Sequence, residues 1–523
     1  MRSAPYSSMF ATNGMVCSVD ALASNAGVAM LRAGGSAADA AVAASAVLAV
    51  TTQHMCGLGG DLFALVHSPG DAAPAVLNAS GRSGSGADAD RLRADGHVSM
   101  PPYGDIRAVP VPGCVDGWLA LHERFGRLPL GDVLAPARGY AVGGFAASPI
   151  LSWVASSVAD VPGGEDFAVV RRAGDVVRRP GVGRALDAIV SHGREGFYGG
   201  EFGEGLLRLG AGEYAAADLA TSDAEWVSPL GLDVWGRRLW TVPPNSQGYL
   251  TLAGAWIASG LPLPDDPDDA LWAHLTIEAA RMAAYDRVDV LHEGADGAAL
   301  VDARRLSARR DQVSVDRAAV LGDSYRAGGT IYLCAVDSDR MGVSLIQSNA
   351  AGFGARIAEP STGIFLQNRG IGFSLVPGHP AEYGPRRRPP HTLSPALVTR
   401  ASGELDMVIG TMGGDTQPQI LLQLVTRLLV HGESAGDAIA AGRWALTEAG
   451  AGGGFSTWEQ RGRVQVALED SAPAGWLAGL ELRGHDVSVA PGNYGHAHVI
   501  AVRDDVLEGA SDPRALTGAA AAY

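Results

Sequence analysis

Two glycines and a threonine open an alternating apolar run, Gly328-Gly329-Thr330-Ile331-Tyr332-Leu333-Cys334-Ala335-Val336-Asp337. No other stretch constrains this chain as strongly. Thr330, Tyr332, Cys334 and Val336 alternate with Ile331, Leu333 and Ala335, and residues 337–340 form a turn signal before a second strand-like run over 341–347. The pattern predicts a hairpin with a threonine at its entry. The glycines relieve steric restriction where a hydroxyl would have to bend back onto the carbonyl before it. If the chain cuts itself before Thr330, the freed α-amine, titrating at about 7.7 to 8.0, can take the hydroxyl proton near neutral pH without a histidine.

A chain of 523 residues can bury a large core. A 47% hydrophobic content with 18% charge, and 70 glycines without a triplet period, give a globular protein. The net charge of -16 argues against nucleic-acid or anionic-membrane partners. All 40 basic residues are arginine, so lysine Schiff bases, a lysine general base and pyridoxal-phosphate linkage are excluded. Cys17, Cys56, Cys114 and Cys334 are widely spaced and read as small buried residues, neither a zinc set nor a disulfide framework. Residues 1–14 lack a basic segment followed by an apolar run, and the apolar stretch 37–50 is too short to span a bilayer and contains Asp39, so a cytoplasmic protein is expected.

Along the chain, residues 21–32 and 36–50 read as alanine-rich helices, the second opened by a Ser36-Ala37-Ala38-Asp39 capping box. The bend Gly57-Leu58-Gly59-Gly60 leads into a strand over 62–66; it lacks GxGxxG spacing, which removes a dinucleotide reading, and His54 lacks partners at metal-ligand spacing. Arg82 stands alone among small residues, exposed to solvent or to a ligand carboxylate. Helices are expected over 119–125 and 270–285 and after Gly248, with helical and loop signals over 150–235. The acidic loop 264–269 lacks calcium-loop spacing. Residues 301–326, rich in Arg and Asp, read as an exposed connection that tolerates a cut. Arg386-Arg387-Arg388 reads as solvated. The strand ending at Val408-Ile409-Gly410-Thr411 runs into Gly413-Gly414 and a helix over 419–430, an arrangement that suits an oxyanion hole. His496 and His498 read as packed histidines before a final strand.

In order, the alanine-rich opening with Gly34-Gly35, Gly57-Leu58-Gly59-Gly60, Pro112-Gly113, Pro243-Pro244-Asn245-Ser246-Gln247-Gly248, Thr330 through Asp337, Asn349, Pro390-His391-Thr392-Leu393-Ser394-Pro395 and Gly413-Gly414 resemble the gamma-glutamyltranspeptidase family of N-terminal-nucleophile hydrolases. The resemblance implies an α/β fold, a four-layer αββα sandwich. It also implies a precursor cut into fragments 1–329 and 330–523 that stay together as one catalytic unit, with no cofactor and no metal. Carried over by position, Thr330 is the nucleophile, Gly413 and Gly414 the oxyanion hole, and Arg82, Asn349, His391 and Thr392 substrate contacts.

The chain also departs from the family pattern. Ile331-Tyr332 stands where the family has Thr-His, so a hydroxyl that usually supports the nucleophile is missing. In Arg369-Gly370-Ile371-Gly372-Phe373, Gly372 takes the place of the aspartate that receives the substrate's ammonium, and Arg369 adds a cation to the site. These changes point away from glutathione and toward a small-molecule substrate whose acyl group bears a carboxylate, of oxalyl or glutaryl type. Amide hydrolysis, carbon-carbon hydrolysis as in actinobacterial pyrroline or alkylproline antibiotic pathways, residual γ-glutamyl transfer and an uncut binding relative are the readings left open.

Overall fold

A computed structural model describes residues 7–322, 329–448, 464–490 and 494–523. Two seven-stranded sheets, each antiparallel between all its neighbours, lie at its centre. Ile331–Val336 pairs with Gly342–Ser348 as the expected hairpin, and the pair sits mid-sheet between Met15–Ser18 and Asp61–His67. Its turn is closed by Asp337, whose Oδ1 accepts from the amides of Asp339 and Met341.

Alternation along these strands builds the layers. Ile331, Leu333 and Ala335 enter a core shared with helices Ala21–Arg32 and Ala37–Thr51. Tyr332, Cys334 and Val336 enter a separate core that meets Trp240, Leu397, Val408 and Ile500 of the facing sheet. That sheet's other face, with Leu239, Val398, Ile409 and Val499, packs on helices Tyr249–Ser259, Ala270–Ala284 and Gln417–Leu429. The order helix, sheet, sheet, helix is the four-layer αββα sandwich.

Local signals set the helices. In Ala37–Thr51 the Ser36 hydroxyl accepts from the Asp39 amide at 3.2 Å while Asp39 accepts from the Ser36 amide at 2.9 Å, and every residue of the helix is buried, which its small side chains permit. The expected helix over 119–125 begins earlier, as Cys114–Phe125. Part of the expected exposed connection is instead helix Ala303–Arg310, held because buried Arg309 pairs with Asp286 at 2.6 Å. The segment 150–235 also contributes strands Glu225–Val227 and Leu230–Val234 at sheet edges. Ala497–Arg503 is followed by two further strands, Val506–Ser511 and Ala519–Ala522. Gly328, the remainder of that connection over 323–326, and Gly492-Asn493 lie outside the described residues.

Candidate active site

Hairpin register places the first part of the site. Ile331 pairs with Gln347, so one step outward Thr330 faces Ser348 across the strand ends. The Thr330 hydroxyl lies 3.1 Å from the Ser348 hydroxyl and 2.5 Å from the carbonyl oxygen of Gly329, to which Ser348 Oγ also donates at 3.0 Å. Ser348 Oγ accepts from the Ala350 amide at 2.8 Å, which fixes its lone pair and directs its proton. Thr330 and Ser348 are both buried. Ser348 was not among the residues singled out by sequence; the hairpin register is the signal that finds it.

Arg369 follows in space. Its Nη1 donates to Thr392 Oγ1 at 3.0 Å and its Nη2 reaches Ser348 Oγ at 3.4 Å, so one buried guanidinium bridges two hydroxyls of the site. Burial lowers its pKa to about 10, opposed by the negative charge of Asp61 and Asp415, which leaves it a cation at neutral pH. At Gly372 an added Cβ would stand 2.4 Å from the Pro390 carbonyl oxygen, so this backbone has no room for a carboxylate side chain there.

Gly413 and Gly414 adopt φ of +142° and +60° in the turn between strand Leu405–Thr411 and helix Gln417–Leu429, backbone that favours glycine. Their carbonyls are engaged: Thr416 Oγ1 donates to Gly413 O at 2.8 Å, and Gln247 Nε2 donates to Gly414 O at 2.9 Å. Their N–H groups make no hydrogen bond among the described residues. The same Gln247 amide donates to Thr392 O at 2.9 Å, and Arg287 holds Gln247 Oε1 at 3.0 Å and Asp415 at 2.8 Å. The Gln247 motif thereby clamps the Thr392 loop to the Gly414 turn.

His391 is buried and donates from Nε2 to Asp61 at 3.0 Å, while its Nδ1 accepts from the Leu393 amide at 3.3 Å. Burial, with the Arg369 charge nearby, pushes it down to about 3 despite Asp61, so the ring is neutral. It touches Asp61 rather than Thr330. Asn349 donates from Nδ2 to Gln53 O at 3.1 Å, and its buried Oδ1 has no partner among the described residues. Ile331 lies in the helix-facing core and supplies no hydroxyl; Tyr332 instead fills space above Gly410, where a Cβ would meet its ring at 2.2 Å.

Arg82 stands apart from these contacts. Its guanidinium pairs with Glu293 at 2.8 Å, Glu225 at 3.4 Å and Asp223 at 3.5 Å, so the solvated reading gives way to an ion-pair network. The neighbouring triplet is likewise ion-paired, with Arg386 and Arg387 still partly exposed. Arg386 pairs with Asp223, Arg387 with Glu293, and buried Arg388 with Glu225, because the loop lies against this acidic wall. Elsewhere, His274, Glu278 and His485 converge closely enough to hold a metal ion, but the two rings hydrogen-bond each other at 2.8 Å, His274 Nε2 donates to Ser314 O, and Glu278 accepts from Arg281 and the Ala319 amide. The cluster shares no residue with the Thr330 site. His496 and His498 are buried and neutral, pushed down by burial to about 4 and about 3.

The comparisons with known proteins bear on the family and on the αββα fold that carries these residues. The family profile described as Gamma-glutamyltranspeptidase matches residues 23–522. The chain belongs to that family. The oxamate amidohydrolase proenzyme of Klebsiella pneumoniae is 35% identical over 99% of this chain and 100% of its own length. A glutathione hydrolase-like proenzyme of Bacillus subtilis is 34% identical over 97% and 98%. The crystal structure of a cephalosporin acylase from Bacillus halodurans superposes with a TM-score of 0.89 at 31% identity, covering 100% of this chain and 99% of that one. The chain is thus an enzyme of the gamma-glutamyltranspeptidase hydrolases. Among the described residues no helix is long and apolar enough to cross a membrane.

Proposed function

We propose that this chain is a self-processing amide hydrolase that cuts itself between Gly329 and Thr330 and then transfers a short carboxylate-bearing acyl group, of oxalyl type, from its substrate to water through Thr330. One observation carries the acyl assignment: Arg369 sits a single hydroxyl away from the Thr330 hydroxyl, through Ser348. A carboxylate paired with that guanidinium lies next to the carbonyl that Thr330 attacks, which suits an oxalyl unit better than a longer glutaryl one. The closed backbone at Gly372 leaves a γ-glutamyl ammonium without a carboxylate at that position.

In the precursor, Thr330 Oγ1 attacks the Gly329 carbonyl carbon while Ser348 donates to the carbonyl oxygen where negative charge grows. The C–N bond breaks, an ester forms on Thr330, and water releases fragment 1–329. The new α-amine then serves as base for Oγ1 in each turnover. The free N–H groups of Gly413 and Gly414 are the donors for the tetrahedral oxyanion, and the Gln247 clamp keeps their turn in register with Thr392. The oxamate amidohydrolase relationship supports the same reading.

The test is intact mass of the purified protein followed by turnover of oxalyl, glutaryl and γ-glutamyl amides. The expected result is a fragment beginning at Thr330, absent in Thr330→Ala, and greatest kcat/KM for the oxalyl donor. An uncut chain, or a γ-glutamyl preference, would overturn it.

A further inference from the structure

A cavity of about 460 Å³ is lined in part by Gly413 and by Gly329, the residue bonded to Thr330. It is far larger than an oxalyl group and differs in character from the Arg369 side. Its walls include Met55, Tyr103, Trp153, Phe353, Arg356 and Met412. Phe353 is fixed by edge contact with Phe167 and a tilted contact with Phe365, at 5.3 and 5.0 Å between centroids, so that wall is rigid. Trp153 is the opposite case, a large aromatic on a short helix that leaves 67% of its surface in water at the rim.

In the uncut chain the side-chain charge on the described lining of this cavity has one sign. No aspartate or glutamate lines it among the described residues. His54 and His496, which also line it, are neutral because burial pushes them down to about 3 and about 4. Arg356 is the one charged group on the described lining. Its guanidinium lies 4.4 Å over the Tyr103 ring, and it makes no ion pair among the described residues. Its backbone holds φ at +56°, a conformation uncommon for a residue with a side chain, in the loop that follows Asn349.

Building on the oxalyl reading above, we infer that this cavity receives the leaving group, and that the leaving group is a planar aromatic amine bearing an anionic substituent. Trp153, Tyr103 and Phe353 supply aromatic surface for the ring, and Arg356 supplies the counter-charge. An ammonium-bearing acceptor such as a free amino acid or dipeptide meets no aspartate or glutamate on the described lining, which favours water as the acyl acceptor. In the reaction, Thr330 Oγ bonds to the acyl carbon and its proton passes through the α-amine to the leaving nitrogen. The amide C–N bond breaks to release the arylamine with its amino group uncharged and its anionic substituent intact, and water then hydrolyses the ester to oxalate and free Thr330.

Two measurements test this on the protein as purified. The first compares kcat/KM for N-oxalyl-4-aminobenzoate and for oxamate, whose leaving group is ammonia. The aryl donor is expected to win by about tenfold or more, and Trp153→Ala or Arg356→Ala to lower that ratio by about tenfold each. The second is calorimetric binding of 4-aminobenzoate alone, which needs no acyl chemistry; it is expected to weaken in both variants and to be weaker for uncharged aniline. If no oxalyl donor turns over yet 4-aminobenzoate binds with this dependence, the acyl assignment fails and the leaving-group site stands. Failure of 4-aminobenzoate to bind, or binding by both variants as tight as by the unaltered protein, overturns the inference.

Discussion

Ser348 Oγ stands 3.1 Å from the Thr330 hydroxyl and 3.0 Å from the Gly329 carbonyl oxygen, bridging the attacking atom and the group it attacks. With its lone pair occupied by the Ala350 amide, the serine proton is directed at one of these two oxygens. Ser348→Ala is therefore expected to slow the appearance of the Thr330 fragment by about 10²-fold, the usual cost of one oxyanion donor. Densitometry of a denaturing-gel time course reads the rate; Ser348→Thr, which keeps the hydroxyl, should recover most of it. Unaltered processing in Ser348→Ala would remove Ser348 from the reaction.

Arg369 offers its two Nη atoms to Thr392 and Ser348 in a fork that an ammonium cannot reproduce. Arg369→Lys should lower kcat/KM for an oxalyl donor by roughly 10- to 10²-fold, the scale of a charge-assisted hydrogen bond. The loss should shrink for a donor whose carboxylate is replaced by an amide. Equal losses on both donors would mean that the arginine only supports the fold.

Restoring the family's carboxylate at position 372 is expected to damage this protein rather than return γ-glutamyl activity. A Cβ on Gly372 meets the Pro390 carbonyl oxygen at 2.4 Å, so the backbone next to His391 and Thr392 must shift. Gly372→Asp should cost about 1–3 kcal/mol, as overpacking does, read as a lower melting temperature. Full stability with new γ-glutamyl anilide turnover would contradict the closed geometry.

Much of this architecture is legible in the chain because it rests on local periodicity. The alternation from Ile331 to Val336 sorts side chains into the helix-facing and inter-sheet cores, and the Ser36 capping box starts its helix where the sequence places it. What the sequence hides depends on distant partners. Arg82 and Arg386–Arg388 look solvated until Asp223, Glu225 and Glu293 are brought to them across gaps of scores of residues. Arg309 reads as surface until Asp286 closes on it. Ser348 carries no motif of its own; only pairing of Ile331 with Gln347 places it opposite Thr330.

Buried neutral histidines give the last prediction, a loss of stability toward acid. His391 has an ordinary value of 6.5 when unfolded and about 3 when folded, because burial and the Arg369 charge oppose its protonation more than Asp61 favours it. Between those values the unfolded chain binds the extra proton, so stability rises with pH. Its contribution is fully present above 6.5 and falls as pH drops toward 3, by up to about 1.4 kcal/mol per pH unit. His54 and His498, lowered to about 3 by burial, act in the same direction. Denaturant titrations between pH 7 and pH 4.5 should show a steep decline in unfolding free energy, and His391→Gln should flatten it, since an amide can still donate to Asp61 without titrating. Activity should follow a different curve, declining as the Thr330 α-amine protonates below about 7.7 to 8.0, with no limb at 6.5. An unfolding free energy independent of pH across that window, or an identical slope in His391→Gln, would show that His391 is protonated in the folded protein.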